Sequence, residues 1–151
     1  MARPISYRDL IVWQKAMALA QQVYRLTEDL PKREAYGLVN QIRRAAVSVA
    51  SNIAEGYGKL SDLQFRHFLG NARGSLYEMQ TQLELGANIG YVNKETEGHL
   101  MAQCREVARL INGLLRSLGS SDAAISQLVP VISASPANPA NPANSAIAHV
   151  S

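Results

Sequence analysis

The chain has 151 residues, enough to bury one core, and 47% of them are hydrophobic while 18% are charged. Its 15 basic and 12 acidic side chains leave a mild positive balance, and there is no Lys/Arg-rich run of the kind that marks a nucleic-acid-binding tail. A single cysteine, Cys104, excludes an internal disulfide and a cysteine-based metal knuckle. The opening residues, MARPISYRDL, lack the apolar centre of a signal peptide, and no apolar run reaches the roughly 18 residues needed to cross a bilayer. A soluble, reducing, cytoplasmic setting is expected, with Cys104 buried at an apolar helical position.

Ser6, with Asp9 three residues on, predicts a helix start. Leu10, Trp13, Met17, Ala20, Tyr24 and Thr27 then recur at helical spacing, and this helix should stop near Leu30, ahead of Pro31. A second helix takes over around Ala35 to Leu38, carries Ile42, Ala46, Val49 and Ile53 on its core face, and should end at Gly56 or Gly58. Ser61 and Gln64 form a capping box before a third helix, whose period runs through Phe65, Phe68, Ala72, Leu76, Met79, Leu83 and Ala87. Asn93 caps a fourth, with Leu100, Cys104, Val107, Ile111, Leu114 and Leu118 as its stripe and Gly119 as its stop. No alternating strand pattern is present. Four long helices with short links predict an all-α, antiparallel up-and-down four-helix bundle over residues 1–119. Residues 120–151 change character: they hold four of the six prolines and the repeat PANPANPAN, and are expected to be a mostly extended or disordered tail.

The sequence argues against several chemistries. Gly56-Tyr57-Gly58-Lys59 resembles a phosphate loop, but the Walker spacing needs a glycine where Ile53 stands, and a strand where a helix is expected. A di-iron bundle needs Glu-x-x-His pairs, yet Gln64 and Thr96 precede His67 and His99 by three. No nucleophile–base–orienter set stands out. Neither a catalytic residue, a metal nor a cofactor is therefore expected.

Two polar lines remain. Arg44, Ser48, Asn52 and Glu55 lie one above another on the second helix, and Asn71, Ser75, Glu78 and Gln82 on the third. They are either solvated faces or a hydrogen-bonded seam between helices or subunits. Small residues at Ala45, Ala46, Ser48, Ala50 and Ser51 favour close approach of another helix. Leu10, Ile11, Val12 and Trp13 are consecutive, so they surround most of a helix, and Leu110, Ile111, Leu114, Leu115 and Leu118 also exceed one stripe. Such surplus apolar surface marks a partner, most simply another copy of the chain. The basic candidates for a polyanion are Arg43 and Arg44, with Lys59, Arg66 and Arg73 as further contributors; pairing of Arg43 and Arg44 with Glu55 or Glu78 is the structural alternative.

The blocks DLIVWQKAMAL, VYRLT, YGLVNQIRRAAVSVASNIAEGYGK and FLGNARGSLYEMQTQLELGANIGYV resemble the 23S rRNA-intervening sequence (S23) family, in order, over about Tyr7 to Leu118. That family is in turn similar to the accessory variability determinant of diversity-generating retroelements, a basic protein that works with a reverse transcriptase and RNA. The resemblance implies a four-helix protomer, a ring-like homopentamer and no established enzymatic activity. It points to association with RNA or DNA, or alternatively to a protein-binding adaptor without nucleic-acid contact. Its firmest blocks are Gln41 to Arg44, Ser51 to Gly56 and Gly74 to Leu76. Lys59 stands where the family pattern leads one to expect arginine, and the Pro-Ala-Asn tail lies outside the pattern.

Overall fold

The computed structural model describes residues 6–119. The expected tail, 120–151, lies outside the described residues. Four α-helices follow one another: α1 (Ile11–Glu28), α2 (Leu38–Tyr57), α3 (Asp62–Asn88) and α4 (Lys94–Ser117). Each packs on its chain neighbours, and α1 also packs on α4, so the four close a ring in up-and-down order. Short links leave little choice, because consecutive helices joined this way must run antiparallel.

Helix boundaries follow local chemistry, with some departures from the sequence reading. Ser6 and Asp9 do form a capping box, but it closes a short 3-10 turn, Tyr7–Asp9, and α1 begins after an extended Leu10. The α1–α2 link holds a second 3-10 turn, Lys32–Glu34, and the Glu34 carboxylate accepts from the Leu38 N–H at 3.2 Å, which satisfies one orphan donor of α2. Ser61 and Asn93 cap α3 and α4 as expected, accepting from the N–H groups of Gln64 (3.2 Å) and Thr96 (2.8 Å). The turn into α4 uses Gly90 at φ +85°, a left-handed conformation suited to glycine. At the end of α2, Gly58 caps the helix at an ordinary φ of −75°, so its conformational freedom is not what stops the helix there.

Gly56 has a different task. A Cβ on it would lie 2.6 Å from Phe68 Cβ and 2.9 Å from Phe65 Cδ2. Glycine is thus what lets α2 approach α3 so closely. The core largely follows the expected faces of α2, α3 and α4, with Val49, Ile53, Leu69, Leu76, Met79, Leu83, Val107 and Ile111 fully buried, but Leu69 takes the core place expected of Phe68, and Phe68, Leu114 and Leu118 are half-buried. On α1 it does so only in part. The buried residues there are Val12, Ala16, Leu19, Ala20, Val23 and Thr27, while Trp13 and Met17 are half-buried and Tyr24 is exposed. Of the stripe read from the sequence, Leu10, Ala20 and Thr27 are buried, and Trp13, Met17 and Tyr24 form the flank of α1 beside the core. Both stripes have helical spacing, so periodicity alone did not separate them.

Candidate assembly and nucleic-acid surfaces

The polar lines of α2 and α3 meet. Ser48 Oγ lies 2.8 Å from Ser75 Oγ, and Asn52 Nδ2 donates to the Ser48 carbonyl (2.8 Å) and hydroxyl (2.9 Å). All three residues are half-buried, so this is a hydrogen-bonded seam between helices rather than a fully solvated face. Farther along α3, Gln82 is 7% exposed and donates to Glu78 at 3.3 Å, while its Oε1 has no hydrogen-bond partner among the described residues. The ends of the lines open to water. Glu55 and Glu78 are exposed, and Glu55 sits 3.8 Å from Lys59 in an i,i+4 ion pair.

The basic candidates do not converge on one site. Arg43 crosses from α2 to α1, where Nε donates to Thr27 Oγ1 at 2.8 Å and Nη2 to the Tyr24 carbonyl at 3.3 Å, with the guanidinium 4.6 Å above the Tyr24 ring. This buried-hydroxyl contact, not an acid, is its partner. Thr27 stays satisfied because its hydroxyl also donates back to the Val23 carbonyl at 2.8 Å. Lys59 lies 5.0 Å over the Phe68 ring as well as beside Glu55. Arg66 and Arg73 sit on another face, where Arg66 donates to the Leu115 carbonyl and Arg73 to Asn112 Oδ1 at 2.9 Å. Both tie α3 to α4. Arg44 alone of the five is exposed and bonded to no other described residue.

A cleft of about 620 Å³ opens between α1 and α2. Trp13, Met17, Tyr24, Val47, Ala50 and Ala54 are among the residues lining it. Its breadth comes from the apolar flank of α1 facing small residues of α2. Of the consecutive apolar run at the start of α1 only Trp13 lines it: Leu10 and Val12 are buried in the core, and Ile11, 61% exposed, lies outside the cleft. Cys104 is fully buried in the core, and desolvation pushes its thiol from 9.0 up to about 12 despite the opposing pull of Arg105. A thiol so placed is inert. Among the described residues no three metal-ligating side chains cluster, and no helix is long and apolar enough to cross a membrane.

These features define an all-α four-helix bundle with a hydrogen-bonded α2/α3 seam, an open α1/α2 cleft and arginines spread over several faces. The chain belongs to the 23S rRNA-intervening sequence protein family, which it matches over residues 8–113. In fold it is similar to the crystal structure of a protein of unknown function from the S23 ribosomal protein family of Bacteroides thetaiotaomicron VPI-5482. The two share 23% identity with a TM-score of 0.66, over 70% of this chain and 98% of that one. Comparison with curated proteins finds no match.

Proposed function

We propose that the protein is a non-enzymatic, self-assembling bundle that carries nucleic acid, RNA before DNA, on basic side chains repeated around a ring of five copies. The observation that carries this reading is the α1/α2 cleft. Trp13 and Met17 are only half-covered in the protomer, and the cleft they line, about 620 Å³, has room for side chains of a second copy. A closed ring hides such a surface on every subunit and multiplies a weak basic field. The family's name, which refers to a sequence intervening in 23S rRNA, supports RNA as the ligand and a cytoplasmic setting. Similarity to the accessory determinant of diversity-generating retroelements would add a reverse transcriptase as protein partner.

A second reading, a protein-binding adaptor with no nucleic-acid contact, draws on the intramolecular partners of Arg43, Lys59 and Arg73. Light scattering coupled to gel filtration tests the assembly: the parent should run as an oligomer and Trp13→Glu as a smaller species. A monomeric parent at micromolar concentration would overturn it.

A further inference from the structure

Two stripes of side chains run side by side where α3 meets α4. On α3, Arg66, Gly70, Arg73 and Tyr77 recur at spacings of four, three and four. On α4, Arg105, Arg109, Asn112 and Arg116 repeat the same spacing. Such spacing holds residues on one helix face. The Arg73–Asn112 and Arg66–Leu115 hydrogen bonds make the two stripes neighbours. Because the helices are antiparallel, Arg116 lies toward the Arg66 end and Arg105 toward the Tyr77 end.

The face carries few acids, and the one on the α3 stripe, Asp62, stands at its end, one turn before Arg66. Between Asp62 and Glu78, α3 has no acidic residue, and after Glu106 neither does α4. Glu106 itself pairs with Lys15 of α1 at 3.3 Å, on the other flank of α4. Arg66 and Arg73 are engaged with α4, so they contribute mainly field. Arg105, Arg109 and Arg116 are exposed and bond no other described residue, which leaves their guanidinium groups free for phosphate.

The glycines on this side of α3 supply an independent observation. Gly56 and Gly86 are explained by packing, since a Cβ there would press on Phe68 or Val92. A Cβ on Gly70 or Gly74 would meet nothing within 4 Å. A helix-interior glycine costs about 1 kcal/mol relative to alanine, and nothing in the protomer offsets it at these two positions. Bare backbone beside arginines is what a close-lying phosphate chain requires. Tyr77, 48% exposed, adds a ring on which a base can stack.

We propose that this α3/α4 face is the nucleic-acid contact, with the phosphate backbone on Arg105, Arg109 and Arg116 and a base against Tyr77. The proposal rests on the nucleic-acid reading above and moves the contact away from the arginines of α2. The three arginines span about 16 Å at 1.5 Å per residue, enough to follow several consecutive phosphates.

Fluorescence anisotropy with the full chain tests it, using an RNA hairpin, a DNA hairpin of the same sequence and poly-glutamate as probes, from low to moderate salt. Relative to the parent, the triple variant Arg105→Glu, Arg109→Glu, Arg116→Glu should bind RNA at least about 100-fold more weakly. Its log–log salt slope should shrink by about 2 to 3, because three phosphate contacts are lost. The corresponding triple lysine variant should bind within about threefold of the parent, since the charge that neutralises phosphate is preserved. Arg44→Glu should likewise stay within about threefold, and Tyr77→Ala should weaken binding of the RNA hairpin, whose loop bases are unpaired, by about tenfold. Should the triple glutamate chain misfold by circular dichroism, Arg109→Gln alone carries the test, with a loss of about fivefold expected. A parent that binds while the triple glutamate variant, or Arg109→Gln in its place, binds equally well overturns the α3/α4 assignment and leaves the nucleic-acid reading standing. A parent that binds neither hairpin at low salt overturns that reading itself. Tighter binding of poly-glutamate than of either hairpin overturns both in favour of an acidic protein partner.

Discussion

Gly56 and Gly70 are both glycines inside helices, and they mark two opposite regions of the bundle. At Gly56 the α2/α3 contact is so close that a single added carbon would fall 2.6 Å from Phe68 Cβ. At Gly70, on the α4 side of α3, the same carbon would meet open space. The α2/α3 side is closed by packing and by the Ser48–Ser75–Asn52 hydrogen bonds, which satisfy one another inside the protomer. The α3/α4 side spends its polar groups differently. Two arginines brace the helices there, and three more on α4 point to no other described residue. Glycine is therefore a packing device in one region and, in the other, a half-buried helix position with room for a side chain. The difference separates surface explained by folding from surface left for a ligand.

The largest effect concerns the core that both regions share. Cys104 keeps its proton more tightly when folded than when unfolded, with its pKa raised from 9.0 to about 12. Its contribution is complete below the unfolded value and declines as pH rises toward the folded one. Above pH 9.0 the parent should therefore lose stability faster than Cys104→Ala, measured by urea unfolding. At neutral pH the thiol should be alkylated only as fast as the chain opens. Equal pH slopes for the two proteins would show that the buried thiol does not titrate as described.

Gly56→Ala comes next. Overpacking the α2/α3 contact should lower stability by about 1 to 3 kcal/mol, read as a lower urea midpoint at unchanged slope. Asn52→Leu should cost about 1 to 2 kcal/mol, because the Ser48 carbonyl and hydroxyl lose a half-buried donor. A neutral result at Asn52 would mean that water serves the seam equally well. On the open side the sign reverses: Gly70→Ala should raise stability by up to about 1 kcal/mol. If Gly70→Ala destabilises instead, that face is packed against something in solution. The smallest effect is at the exposed end of the seam, where Glu55→Gln should change stability by less than about 0.5 kcal/mol, since the Lys59 pair is largely solvated.

Much of the fold was readable because three of the four helices place their core on one dominant stripe and because Ser61 and Asn93 cap where they should. The exceptions have local causes. On α1, Trp13, Met17 and Tyr24 form an apolar flank as regular as the true core of Val12, Ala16, Leu19 and Val23. At Gly56 the sequence offered a helix stop, whereas the close approach of Phe65 and Phe68 depends on residues beyond the next turn. Arg43 and Arg44 stood out because they are adjacent in sequence. Yet adjacent residues on a helix point about 100° apart, and the structure sends Arg43 to Thr27 and leaves Arg44 outside. Arg105, Arg109 and Arg116 look like an ordinary solvated face until α3 brings Arg66 and Arg73 alongside. That juxtaposition depends on which helix faces meet.

The most direct measurement is an arginine footprint. The protein would be modified with phenylglyoxal, alone and with a saturating RNA hairpin, and digested to read each arginine by mass spectrometry. The account predicts that RNA protects Arg105, Arg109 and Arg116 while Arg44 reacts as before. Protection of Arg44 with no change at the three α4 arginines would contradict it.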